Sequence, residues 1–274
     1  MRKVKENLLK GLLWGAIVFT LGVLIFILSY IFVKGIGSLS FDFLIKDYSP
    51  SGNGGVLPMI ITTLYMVVLS ILVATPISIL AAIYLQEYAR QGVLVKIIRF
   101  ATECLSGIPS IVYGLFGAVF FVEYLNMGYS ILAGSLTVSI IILPIIIRTT
   151  EESLKSVPES YKEGSLGLGA TRLQTLYKVV VPSAMPGILA GTILAIGRVI
   201  GESAAILLTV GTVAKVPKSI FSSGRTLTVQ AYLFTKEAGA ISEACAVGII
   251  LIVIILILNT LARFISKKIN KVNY

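Results

Sequence analysis

Six stretches of at least 19 residues pass without a charged side chain: Leu12–Val33, Leu57–Leu85, Cys104–Val122, Tyr124–Ile147, Val179–Gly197 and Ala244–Ala262. A helix that crosses a bilayer needs about 20 mainly apolar residues. In lipid every backbone polar group must find its partner inside the chain, so such runs must be helical. Only 13% of the residues are charged and 56% are hydrophobic. A water-soluble globule has no interior large enough to hide that much apolar surface, and a disordered or collagen-like chain has too little of it. The expectation is an all-α polytopic membrane protein with six transmembrane helices in a single domain over 1–274. The spans fall at about 10–33, 57–85, 101–122, 128–148, 183–211 and 244–264, the fifth only if Arg198 and Glu202 are tolerated inside it. The first run follows Met1-Arg-Lys-Val-Lys, as a signal peptide would. Its apolar length exceeds the ~7–15 residues of a signal peptide core and no small-x-small cleavage site follows, so it reads as an uncleaved helix.

Orientation follows from the loops. Six spans put both termini on one side, and that side collects 16 of the 23 basic residues against six on the other, Arg198 being the remaining one. The positive-inside rule then places both termini in the cytoplasm of a multi-pass cell-membrane protein. The net charge of +10 is spread over the ends of apolar runs, which suits loops beside anionic membrane lipid and not a nucleic-acid-binding stripe. Cys104 and Cys245 each lie in an apolar run and read as small buried hydrophobes. The chain has no histidine and no Gly-Lys dipeptide, which leaves no basis for a His metal site, a phosphate-cradling P-loop or a resident cofactor. The two outer segments, Lys34–Val56 and Thr212–Glu243, read as hydrophilic loops, the first with a Ser51-Gly-Asn-Gly-Gly55 turn signal.

The segment Arg148–Pro182 between the fourth and fifth spans is too long for a bare connector. Pro158 suits a helix start, Gly167 and Gly169 a helix stop, and Thr171 the N-cap of a second helix over Arg172–Val181. Leu173, Leu176, Tyr177 and Val180 fall on one stripe of that helix. The pattern predicts a helical hairpin at 151–182. On its own it fits either a docking knob or a hairpin lying on lipid.

Within it, Glu163-Gly-Ser, three residues, Gly169, nine residues and Val179-x-Val181-Pro182 resemble the EAA loop of binding-protein-dependent ABC importer permeases. That family reads Glu-Ala-Ala, three residues, Gly, nine residues, Ile-x-Leu-Pro, so the spacing matches and the departures are small. The resemblance implies that Glu163, Gly164, Ser165, Gly169 and Pro182 belong to a coupling loop that docks on a separate ATP-binding subunit. Three further stretches, Ile108–Gly117, Leu143–Glu152 and Gly197–Glu202, are similar to phosphate importer permeases. Ile147-Arg-Thr-Thr-Glu-Glu152 is nearer the PstA-type subunit than its PstC-type partner. The resemblance implies phosphate as substrate, no enzymatic activity in this chain, a PstC-like second permease and an extracytoplasmic phosphate-binding protein. A permease for another oxyanion, molybdate or sulfate, is the nearest alternative. A stand-alone secondary transporter predicts inverted repeats, which the sequence does not display.

Candidate path residues come from polar groups in apolar surroundings. Arg198 and Glu202 stand four apart, on one face of a continuous helix, where charge is costly unless it faces protein or a water path. They fit a self-neutralising structural pair or an anion path, and an arginine fork suits phosphate. Arg148 closes the fourth span and reads as an interfacial anchor or an anion exit. Gly107-Ile-Pro-Ser110 predicts a disturbance of the third span, with Ser110 lining a path if the break is a hinge.

Overall fold

A computed structural model describes residues 2–49, 54–90, 92–236 and 240–271. Most of the Ser51–Gly55 turn signal lies outside the described residues. Every regular element within them is helical. Five runs are long and apolar enough to cross a bilayer: Leu9–Ser38, Leu57–Tyr88, Ile131–Lys155, Arg172–Gly201 and Ile241–Phe264. The sixth expected crossing is a bent pair.

The elements are α1 (Arg2–Gly35), α2 (Phe41–Ile45), α3 (Leu57–Ile83, extended by a π-helical turn over Tyr84–Tyr88), α4 (Val93–Gly107), α5 (Ser110–Gly117, extended by a π-helical stretch over Ala118–Tyr124) and α6 (Ile131–Lys155). There follow α7 (Glu159–Gly167), α8 (Arg172–Thr175), α9 (Val181–Gly201), α10 (Ala204–Thr209), α11 (Leu227–Lys236) and α12 (Ile241–Lys271).

The centre of the bundle is α3, α6 and α9. Their buried residues Met66, Ala74, Val138, Ile142, Ile146, Ala195 and Val199 form one apolar cluster with Ile206 of α10 and Val229 of α11. In lipid, helices gain from close approach and hydrogen bonding more than from hiding apolar surface. Both devices are present. Ser139 donates to the carbonyls of Ser70 and Ser135 at 3.2 and 2.7 Å, and Ser70 donates to the Ser135 carbonyl at 3.2 Å, which joins α3 to α6. Gly187-Ile-Leu-Ala-Gly191 lays two glycines of α9 against α6, where a Cβ would overlap the side-chain oxygens of Ser153 and Thr149. The small-x-x-x-small spacing that permits this approach is present in the sequence itself.

By contrast α1 stands apart. Its span is lined with exposed apolar side chains, and it touches α12 chiefly near its end, where Gly35 meets the backbone of Cys245.

Four expectations need correction. The span at 101–122 is not one helix: α4 and α5 meet at 99°. Ile108 is extended (φ −72°, ψ 132°), the conformation imposed on a residue preceding proline. The fifth span does not run through to 211. α9 stops at Gly201, Glu202 is extended (φ −77°, ψ 133°), and a new short helix starts at Ala204. The last outer loop is not simply hydrophilic. It contains α11, which tucks Leu227, Val229 and Gln230 into the bundle. Cys104 is exposed on α4, and only Cys245 is buried.

Candidate functional site

The α6–α9 register locates the charged pair. Gly187 faces Ser153 and Gly191 faces Thr149. Continuing that antiparallel register puts Arg198 about level with Ile142, near the middle of α6. The charge therefore sits at mid-depth, at the end of a broken helix.

The pair is asymmetric. Glu202 is 3% exposed and Arg198 46%, with Nη2 and Oε2 at 3.4 Å. Glu202 does not reach Arg198 along a continuous helix face, because the helix has already ended. It turns back instead, and its other carboxylate oxygen accepts the N–H of Ala205 at 3.3 Å, capping the first turn of α10. The Glu202 carbonyl accepts the Thr228 hydroxyl at 2.7 Å, so α11 closes over the break. Thr63 of α3 accepts the Leu227 N–H at 3.0 Å from the other side. Arg225 holds the entrance to α11. It donates to the Thr212 carbonyl at 2.8 Å and to the buried Gln230 at 2.7 Å, and stacks over Tyr48 at 5.2 Å. Thr228, Gln230 and Arg225 escaped the sequence reading. A Thr-x-Thr and a lone Gln in a loop carry no local signal, and only the fold brings them to the break.

Arg198 opens outward. Ser183, Pro186, Ala190, Leu194, Arg198 and Gly201 form the exposed stripe of α9. Beyond the adjoining residues and backbone of their own helix, no atom among the described residues lies within 4 Å of a Cβ built on Gly197 or Gly201. Arg148 lies elsewhere. It is exposed, at 3.4 Å from Glu152, in a recess between α4 and α6 with Arg99, Glu103, Glu151 and Lys155. The recess balances three cations, Arg99, Arg148 and Lys155, against three carboxylates, Glu103, Glu151 and Glu152. Ser110 is the half-buried first residue of α5 after the break.

The hairpin forms at the end of the bundle where α6 finishes. Pro158 precedes α7, and Gly169 has φ +86°, the left-handed backbone that tolerates glycine best. Thr171 caps the next helix through a reciprocal box with Gln174, at 3.3 and 2.9 Å. The expected apolar stripe is split. Leu176 and Val180 are buried, whereas Leu173 and Tyr177 are exposed. Leu168 is 92% exposed at the tip, with Tyr161 and Leu166 also exposed behind it. Ser165 and Thr175 pair their hydroxyls at 3.0 Å across the hairpin. Lys162 reaches Glu87 at 2.9 Å, both side chains 18% exposed, which ties α7 to the end of α3. Glu163 and Gly164 face outward. Pro182 does not begin a separate span: helix runs through it from Arg172, and the π-helical turn Leu176–Val180 absorbs its missing N–H.

A lipid-facing helical bundle with a charged helix break at mid-depth and an exposed hairpin at one end has the architecture of a membrane transport subunit. The family model described as "Binding-protein-dependent transport system inner membrane component" matches residues 74–271, and the chain belongs to that family. It is 33% identical, over 98% of both chains, to the probable ABC transporter permease protein YqgI of Bacillus subtilis. It is 40% identical to the phosphate transport system permease protein PstA of Pasteurella multocida, over 76% of this chain and 74% of that one. The fold is shared with the bacterial alginate ABC transporter in complex with its pentasaccharide-bound periplasmic protein (TM-score 0.72, 17% identity, 97% of this chain and 96% of that one). The protein is thus a multi-pass permease subunit of an ABC importer, a transport component.

Proposed function

We propose that this permease translocates inorganic phosphate, with Arg198 as the group that meets the anion. The observation that carries the reading is the half-exposed guanidinium at mid-depth on the open stripe of α9, held by a carboxylate buried in the helix break. Discontinuous helices near the bilayer midplane are where transporters hold their cargo. A planar guanidinium offers phosphate two parallel hydrogen bonds. Glu202 gives Arg198 a second partner and so limits how tightly the anion is retained. The likeness to PstA of Pasteurella multocida favours phosphate over molybdate or sulfate.

The open stripe of α9 needs a second wall, which a PstC-like permease supplies. The hairpin is the docking knob for an ATP-binding subunit, and ATP hydrolysis takes place there. Its exposed Leu168, Leu173 and Tyr177 provide the apolar contact, and Glu163 and Gly169 the polar and backbone ones. Lys162–Glu87 carries the motion of α7 into α3. In this reading the hairpin end and both termini are cytoplasmic, and the opposite end meets an extracytoplasmic phosphate-binding protein. The deciding experiment is uptake of radiolabelled phosphate by the reconstituted complex, with molybdate and sulfate as competitors. Inhibition by either at concentrations where unlabelled phosphate does not compete would overturn the substrate.

A further inference from the structure

The bend that breaks the third span leaves α4 without a place inside the bundle. Val95 is its only buried residue among those described. At 100° per residue its side chains sort into two arcs, with the buried Val95 the apolar exception on the polar side. Val93, Leu94, Ile97, Phe100, Ala101, Cys104 and Leu105 share one arc, all exposed. Lys96, Arg99, Thr102, Glu103 and Ser106 share the opposite one. The less exposed side, Val95, Ile98, Arg99 and Thr102, lies at the edge of the polar arc and within it, and Arg99 and Thr102 meet α6 there. The apolar arc therefore points away from the protein.

Depth and direction are also given. Arg99 pairs with Glu151 of α6 at 3.2 Å. Glu151 is twenty residues along α6 from Ile131, about 30 Å at ~1.5 Å per residue, which is the thickness of the hydrocarbon core. α5 packs along α6 and α10, and α4 leaves it at 99°. So α4 runs close to the membrane plane at the level where hydrocarbon gives way to headgroups. The bend is braced: Tyr113 of α5 donates to the Leu105 carbonyl of α4 at 2.7 Å. The basic groups gather at the α4 end away from the bend, with Arg90 just before the helix and Lys96 and Arg99 in it.

We propose that α4 is an in-plane anchor that lies in the anionic lipid interface at the hairpin end of the bundle. Its apolar arc enters the acyl boundary, and Arg90 and Lys96 meet acidic phospholipid headgroups. A helix with a clean apolar face and cations on the other is the form that binds such a surface. The occupant is lipid, not a protein groove, because the basic residues flank the apolar arc where headgroups would lie. The anchor would fix one arm of the Gly107–Ser110 bend against the membrane while the hairpin moves. The proposal does not depend on which anion is carried.

Cys104 sits mid-arc and serves as the probe. The full chain, with its co-purifying subunits and Cys245→Ser to leave one thiol, would carry an environment-sensitive fluorophore there. It would be reconstituted in vesicles of phosphatidylcholine alone or with about one-third phosphatidylglycerol. In the mixed vesicles, lipids brominated near the top of the acyl chain should quench the label about twofold more than lipids brominated near its tail. A label at Lys96→Cys, in a Cys104→Ser background, should instead be quenched by aqueous iodide. The Cys104 quenching should weaken in phosphatidylcholine alone, and Arg90→Glu with Lys96→Glu should remove that lipid dependence. Deepest quenching by tail-brominated lipid would mean an ordinary span and overturn the proposal. Quenching by iodide at Cys104, or protection from both quenchers through cover by another subunit, would overturn it too. An unchanged response in the double-glutamate variant would refute the headgroup contact.

Discussion

Replacing Arg198 by Gln separates the two roles its ion pair can play. At 3.4 Å, the Coulomb attraction between Arg198 and Glu202 is on the order of 5 kcal/mol at an effective dielectric of about 20, and on the order of 1 kcal/mol in water. The guanidinium is nearly half exposed and the carboxylate is not, so the effective value lies toward the lower figure. Loss of Arg198 also leaves the Glu202 carboxylate with the Ala205 N–H as its remaining hydrogen-bond donor among the described residues. A fully buried pair broken on one side costs about 3–5 kcal/mol. Here water reaching the Arg198 side reduces that to about 1–2 kcal/mol. Arg198→Gln should therefore insert and assemble, with a thermal midpoint only a few degrees lower. Transport should fall much further. Hydrogen bonds between charged partners contribute about 1.5–3 kcal/mol each; the Gln amide keeps one donor, so loss of one bond of the fork predicts roughly ten- to hundredfold slower phosphate uptake. Arg198→Lys should be intermediate, since a point charge does not reproduce a planar donor pair. Glu202→Gln keeps an acceptor for Ala205 but frees the guanidinium, so half-saturation should drop along with the maximal rate. The assay is radiolabelled phosphate uptake into proteoliposomes, normalised to assembled complex. Uptake by Arg198→Gln within about threefold of the parent would refute the anion-path reasoning.

Three further outcomes are expected. Gly169→Asp forces a side chain into a backbone at φ +86°, at a cost of about 1–2 kcal/mol, and should release the ATP-binding subunit on co-purification while the chain stays in the membrane. Full ATPase binding by that variant would show that the hairpin is not the coupling element. Gly191→Leu would drive a branched side chain into Thr149 and should destabilise the α6–α9 contact by about 1–3 kcal/mol, read as a lowered thermal midpoint in detergent; an unchanged midpoint would discard the register used to locate Arg198. A cysteine at Ser51 should react with an impermeant thiol reagent added to intact cells and one at Ser156 should not; the reverse pattern would invert the orientation.

Much of the local structure was legible because its causes are local. Charge-free length decided that the chain lives in lipid, since the bilayer leaves a helix as the one way to satisfy each backbone group. The hairpin could be drawn from Pro158, Gly169 and Thr171, whose preferences act over three or four residues, and the structure shows the helix start, the positive φ and the capping box at those positions. The disturbance at Pro109 could be anticipated, but not its 99° angle, which is held by Tyr113 reaching Leu105 and by Arg99 reaching Glu151, 52 residues further along the chain. The i, i+4 spacing of Arg198 and Glu202 suggested one helix face, and they do pair, yet across a break. Glu202 left the helix to cap α10 and to receive Thr228, a contact that appears only when α11 folds back. The exposure of Leu173 beside the burial of Leu176 likewise depends on which side α3 and α6 occupy. Sequence alone determined which stretches meet lipid as helix and where the hairpin starts, turns and is capped, because those choices are settled within one turn or by the solvent; the stop of α9 at Gly201 was not among them. How the helices are aimed, and which polar groups converge at mid-depth, was decided only by contacts between elements far apart in the chain, and no short-range preference encodes those.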